Sequence, residues 1–401
     1  MQHSKHLIYV ISGVLLLASA LAARDIQPAR AYEATAEAPS SVGKTPVGAQ
    51  VDWVLEQFNG GSETLTEAEF ATHFTPEFLA AFPVSLLDLL RQTTAQYAPV
   101  VSSGYAFPPT ATGAVVLVDL ATGEHAAIYL TVEDAPPHRI TRLDLSEPPA
   151  EPTAAGRRVS IGERSLYLDC QGTGSPTVVL EGGIATDWAQ VQPDVAASTR
   201  VCSYDRPDSP GSRSDPTPQR TAQQVVDDLR ALLVAAGEAG PYVLVGHSMG
   251  GLYVQLFAYE HPQDVAGLVL VDPTPEDFSQ RLGEIAAALG TPVPAIAPVL
   301  SADEISFQQM RDARASGTLR PMPLIVLTHG RPDDPSDRPP GWPIAEEERI
   351  WLELHGAIAA LVPGGRHIIA EQSGHDIHQE QPAIVIGAIL NVVGAVRDPD
   401  S

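Results

Sequence analysis

Tyr242-Val243-Leu244-Val245-Gly246-His247-Ser248-Met249-Gly250 is the stretch on which the reading of this chain turns. Four consecutive apolar residues make a short buried β-run, and an apolar helical pattern from Gly250 to Tyr259 follows at once. Between them stands G-x-S-x-G, a turn so tight that its central residue takes a strained backbone and side chains two residues to either side would collide. Glycine at 246 and 250 relieves that crowding and leaves the Ser248 hydroxyl at the open, carboxyl end of a sheet. The helix N-terminus beyond it points free N–H groups at any negative charge forming there. The bare pattern is common by chance, but between an apolar strand and an apolar helix it marks a candidate nucleophile.

A serine hydroxyl is a poor nucleophile until a base takes its proton. Of the twelve histidines, His375 has the right surroundings: it follows the strand-like run His367 to Ala370 in Glu371-Gln372-Ser373-Gly374-His375-Asp376. That puts it on a loop at a strand's carboxyl end. His378 is the near competitor, and His247 flanks the serine but points away from it. If His375 were only a solvated loop histidine, Ser248 would have no base.

Outward from this centre, residues 157–397 alternate strands and helices, which predicts an α/β domain with a doubly wound, mostly parallel sheet. Arg158–Ile161 and Ser165–Cys170 read as an opening hairpin, Thr177–Leu180 and Arg200–Tyr204 as buried strands. Thr221 to Ala236 is an amphipathic helix with Thr221 and Gln224 as its capping box and Gly237 as its stop. Strands Ala266–Val271, Leu324–Leu327 and His367–Ala370 and helices Ala345–Leu361 and Pro382–Val396 complete the pattern.

The runs VVLEGG, RVCSYDRP, RTAQQVVDDLRALL, GPYVLVGHSMGGLYVQLFAYEHPQDVAGLVLVDP and SGHDIHQEQP together resemble the α/β-hydrolase superfamily, AB hydrolase-1 type, across this whole region. The resemblance implies an open eight-stranded sheet, a serine–histidine–acid triad and no metal or cofactor. In the family the acid follows the sixth or the seventh strand. Asp272 ends the sixth; Asp333 follows the seventh in Gly330-Arg331-Pro332-Asp333, among prolines and further acids. A strand tip holds a side chain more rigidly, which favours Asp272, and both remain candidates. The oxyanion donors implied are the N–H of Met249 and that of Ile184, with Gly183 next, from the loop Glu181-Gly182-Gly183-Ile184 that stands where relatives carry His-Gly. In the family's strand order Cys170 and Cys202 end up on neighbouring strands, which implies a disulfide. The segment of about 274–322 corresponds to the family's cap and implies a small lid. Ester hydrolysis of a small acyl substrate is the expected activity. Amide cleavage is the alternative, although relatives with that activity carry Gly-Gly-Ser-Trp-Gly, and a non-catalytic binding protein on the same fold is another.

The first part of the chain is organised differently. Lys5, the apolar run Leu7 to Leu17 and the small residues Ala18, Ala20 and Ala22 form a signal-peptide pattern over 1–23, so the protein is expected to be secreted; an uncleaved membrane anchor is the alternative. Residues 24–48 read as a disordered linker and 148–156 as a second, Pro-rich one. Between them, 49–147 shows helical patterns first and strand-like runs after, a small α+β domain. Through its stretches TLTEAEFATHFTPEFLAAFP and APPHRITRLDL it resembles the cystatin/NTF2-like domains that precede some secreted bacterial hydrolases. The 401 residues carry 49 acids against 24 bases, a formal charge of −25, which repels nucleic acid and anionic membranes as partners.

Overall fold

The computed structural model of the chain describes residues 45–60, 66–81, 97–184, 186–288, 302–332 and 342–398. The expected leader, the linker up to residue 44, the middle of the cap segment and the candidate acid Asp333 lie outside the described residues.

Three helices open the described chain: α1 (Pro46–Phe58), α2 (Glu67–His73) and α3 (Pro76–Ala81). The first begins earlier than the hydrophobic spacing from Val51 indicates, because Thr45 caps the Gly48 N–H and Pro46 occupies the first turn. Strands β1 (Val101–Tyr105), β2 (Gly113–Asp119), β3 (His125–Val132) and β4 (Ile140–Ser146) form an antiparallel sheet in chain order. β1 was not expected. Its Val-Ser-Ser-Gly-Tyr lacks strand periodicity, its register slips between Ser102 and Gly104, and it exists by pairing with the free edge of β2. One face of the sheet is covered by the helices through Val47, Val51, Phe70 and Phe74. The other face presents Val115, Leu117, Ala127 and Tyr129.

The larger sheet is built from β5 (Gly156–Ser160), β6 (Ser165–Gln171), β7 (Val178–Glu181), β8 (Val201–Tyr204), β9 (Tyr242–His247), β10 (Val265–Val271), β11 (Leu324–His329) and β12 (Arg366–Ala370). Its spatial order is β12-β11-β10-β9-β7-β8-β6-β5, with β6 antiparallel to both neighbours and every pair from β8 to β12 parallel. Helices α5 (Ala222–Ala236), α6 (Met249–Glu260) and α9 (Ile344–Ala359) cover one face; α4 (Gln192–Ala196) and α11 (Pro382–Arg397) cover the other. The predicted capping box of α5 is present, and Gly237 ends the helix in the left-handed conformation.

In the cap segment, α7 (Phe278–Ala288) packs on α9, and α8 (Ala302–Ser316) packs on α5 and α6. Phe307 and Met310 of α8 join the core beneath, and Ser306 Oγ accepts the Ala222 N–H at the start of α5. The second helix of the cap segment is thus anchored to the helices below it. Its apolar residues Phe307 and Met310 tie it to the helical layer.

Cys170 and Cys202 lie directly opposite each other in the β6–β8 register and form a disulfide. The two halves of the chain are joined by polar contacts. Arg142 on β4 donates to the Pro207 and Thr217 carbonyls at 2.9 and 3.1 Å, and the Arg158 guanidinium lies 4.1 Å from the Phe107 ring. The second linker also ends tied down, its Thr153 N–H bonded to the Tyr167 hydroxyl.

Candidate active site

Parallel strands bring their carboxyl ends to one edge, and four of them deliver the site. Ser248 follows β9, Asp272 follows β10, Gly182-Gly183 follows β7, and His375 sits in the loop between β12 and the short helix α10 (Ile377–Glu380). Ser248 has φ 55° and ψ −127°, a conformation that costs a non-glycine residue about 1–3 kcal/mol and persists only where the surroundings over-determine it. Three backbone bonds do so. The Ser248 N–H reaches Val271 O at 3.2 Å, while the Gly251 and Thr274 N–H groups both donate to Ser248 O. The elbow glycine is required by backbone more than by side chains: a Cβ on Gly246 would lie 2.4 Å from Gly250 O.

Asp272 is fully buried and also has a positive φ, 45°. Its Oδ2 is 2.6 Å from His375 Nδ1 and 2.7 Å from His329 Nδ1. Its Oδ1 accepts the His329 backbone N–H and the Trp351 indole N–H, both at 3.0 Å. Burial opposes charge here, but the His329 and His375 hydrogen bonds outweigh it and hold the carboxyl well below the usual carboxylate range. For His375, burial pulls the imidazole down and the bond to Asp272 lifts it further, so the net direction is upward. Of the two candidate acids, the described residues include only Asp272, and it is the one joined to His375.

The competing histidines do other work. His247 has Nδ1 3.0 Å from Thr186 Oγ1 and Nε2 3.1 Å from the His375 carbonyl, so it braces the loop that carries His375. His378 is fully buried between the rings of Trp188 and His247, and burial pushes it down to about 4. Neither is among the hydrogen-bond partners of Asp272.

On the other side of the serine, Gly183 approaches so closely that a Cβ there would stand 2.8 Å from Ser248 Cβ. Ile184 follows at the surface, 43% exposed. The loop is held from below by Arg206, whose Nη1 donates to Gly182 O at 2.8 Å while its Nε pairs with Asp208 at 3.0 Å. Glu181, fully buried, accepts the Tyr204 hydroxyl, and its acid is pushed up to about 7 by burial despite Arg206 nearby.

Several residues here were not found from sequence. Thr274 Oγ1 lies 3.4 Å from Ser248 Oγ, and His329, Trp351, Glu348, His355 and Arg206 surround the acid or the loop. The spacing Glu348–Trp351–His355 puts three polar-tipped side chains on one face of α9, a signal that periodicity could have exposed. His329 carries none, because a histidine closing an apolar strand looks like any other.

The Alpha/beta hydrolase family model matches residues 172–388, and a model described as ORF 12 gene product N-terminal matches residues 42–136. The cystatin/NTF2-like likeness of the N-terminal half is not what the second match names. The uncharacterized protein YqjL of Bacillus subtilis is 30% identical over 242 residues, 55% of this chain and 85% of its own length. The pimeloyl-[acyl-carrier protein] methyl ester esterase of Chromobacterium violaceum is 31% identical over 180 residues, 42% of this chain and 66% of that one. Among solved structures, a thermophilic esterase from Thermogutta terrifontis superposes with a TM-score of 0.43 at 21% identity, covering 61% of this chain and 99% of that one. With more than half of its residues matched by the family model and the eight-stranded sheet in place, the chain belongs to the alpha/beta hydrolase family.

Proposed function

We propose that the chain is a serine hydrolase that cleaves carboxylic esters through an acyl-enzyme. The observation that carries this reading is the pairing of His375 Nδ1 with the buried Asp272 at 2.6 Å, at the sheet edge where Ser248 is held in its strained turn. With Nδ1–H donated to Asp272, Nε2 acts as the base. Ser248 Oγ attacks the ester carbonyl as its proton passes to His375. The negative charge on the carbonyl oxygen is met by the N–H groups of Met249, at the N-terminus of α6, and of Ile184, beside Gly183. Collapse of the tetrahedral adduct expels the alcohol, which takes the proton from His375. Water, deprotonated by the same histidine, then releases the acid and restores Ser248. No metal or cofactor enters this chemistry. The name of the Chromobacterium relative, a methyl ester esterase, favours esters over amides as substrates.

The same reading puts the mature protein outside the cytoplasm. The Cys170–Cys202 disulfide supports it, since such bonds persist in oxidising compartments.

A fluorophosphonate probe with p-nitrophenyl esters of increasing chain length tests the activity. Labelling and turnover are expected in the wild type and lost in Ser248→Ala. A wild-type protein that neither labels nor turns over any ester in the series would overturn the proposal.

A further inference from the structure

Asp272 is shared. The Oδ2 atom that accepts from His375 also accepts from His329, whose other nitrogen, Nε2, lies 3.0 Å from Glu348 Oε2. A neutral imidazole has one N–H and one bare nitrogen, whereas His329 faces a carboxylate oxygen at each end. Carboxylates accept, so two acceptors call for two donors and the ring carries both protons. The His329 side chain is 11% exposed, and its backbone N–H is fixed to the other oxygen of Asp272, so the ring cannot turn away without breaking a set of bonds.

We propose that His329, held as an imidazolium between Asp272 and Glu348, is a positioning residue that sets the acid limit of activity by drawing negative charge away from the acid that His375 relies on. The inference rests on the assignment of His375 as base and Asp272 as acid. A buried carboxylate with a single imidazole partner favours the imidazolium, which cannot take a proton from Ser248. A second cation on the same oxygen opposes that charge on His375 and keeps the base unprotonated to lower pH.

The direction of the individual groups agrees. Burial lowers His329, but its bonds to Asp272 and Glu348 raise it to about 10. The charge of His329 in turn pulls His375 down, against Asp272 and Asp376, which lift it. Among the described residues, the other groups packed around the pair do not supply a competing cation. On α9, His355 lies 3.9 Å from Asp272 Oδ1 but is pushed down to about 4 by burial, and its Nε2 bonds to Pro273 O. His247 from β9 and His378 from α10 are lowered by burial as well. His367 of β12 bonds to Thr328 and stands edge-on to His355, and burial lowers it too. Arg331, just beyond β11, is paired with Glu380, and Arg281 of α7 with Glu353 on the outer side of α9.

The test uses the full chain labelled with 15N-histidine. Ring nitrogens are titrated by NMR, alongside kcat/KM on p-nitrophenyl acetate between pH 4.5 and 9.5. In the wild type, one ring bonded to Asp272 is expected to keep both nitrogens protonated at pH 8. In His329→Gln, the His375 titration and the acidic limb of kcat/KM should both move up by about one pH unit, so the loss of rate is about tenfold greater at pH 5.5 than at pH 8.5. Glu348→Gln alters a partly exposed side chain and tests the same ring without emptying the cluster. It should bring the His329 titration down by about a unit or more. A bare nitrogen on His329 at pH 7, or a His375 titration unmoved in His329→Gln, overturns the inference, as does a rate loss equal at every pH. If the wild type turns over no ester at all, the functional proposal fails, while the ring titrations still decide the role of His329.

Discussion

Asp272 gathers the hydrogen bonds of the candidate site on one carboxylate. It sits at a positive φ, is fully buried, and takes four hydrogen bonds from three side chains and a backbone amide. An amide at this position would offer N–H where an N–H already points, and would no longer stabilise a protonated His375. Asp272→Asn is therefore expected to lower kcat on p-nitrophenyl acetate by about 10³–10⁴-fold with a much smaller change in KM. If the loss appears instead in Asp333→Asn, Asp272 is not the acid. Glu181 presents the opposite electrostatic case. Among the described residues its Oε1 has no hydrogen-bond partner, with Arg206 Nη1 3.8 Å away, and its folded acid is raised to about 7. A raised carboxyl stabilises the fold fully below its unfolded value of about 4.3, and that contribution is lost as pH rises through the folded value. Glu181→Gln should thus flatten the fall in denaturant midpoint between pH 5 and pH 8. An unchanged slope would show that Glu181 is charged and satisfied in the fold.

At the scale of elements, the site depends on how strands end. β9 and β10 are in register, with Val271 opposite His247, so the turns that follow them place Ser248 and Asp272 side by side. The β6–β8 pair stands farther along the sheet and is closed by the disulfide across 32 residues. A loop of that size restricts the unfolded chain by about 3–4 kcal/mol in the entropic account. Cys170→Ser with Cys202→Ser should lower the stability measured in guanidinium by about 2–4 kcal/mol and leave ester turnover intact at 25 °C. An unchanged midpoint would mean that the bond is absent from the protein as made. Sequence patterning located nearly all of these elements within a few residues. It missed β1, α4 and α10, because a bulged edge strand and helices of five and four residues exist through their neighbours and leave no period in the chain.

For the whole molecule, the two sheets meet where the site is supported. Arg142 of the N-terminal half holds the carbonyls of Pro207 and Thr217, and Arg206, one residue before Pro207, holds Gly182 O beneath the Gly183 approach to Ser248. The N-terminal half therefore braces, through one loop, the segment that carries Gly183 and Ile184. Arg142→Met removes a charged donor from two buried acceptors, at a cost of about 1.5–3 kcal/mol. Thermal unfolding should fall accordingly, and limited proteolysis should cut sooner within residues 205–217. No change in either would show that the two halves are independent.

The local signals of the chain by themselves determined the elbow, the identity of Ser248 and His375 as candidates, the alternation that makes an α/β sheet, and the division into two folded halves. Those features depend on neighbours within a turn or on a repeating period, which a linear chain displays. Tertiary structure alone decided which side chain Asp272 bonds, the braces supplied by Arg206 and His247, and the second imidazole on the shared carboxylate. Residues 272, 329, 348 and 375 come from four separate elements, and only the closing of the parallel sheet brings their charges within a few ångströms of one another.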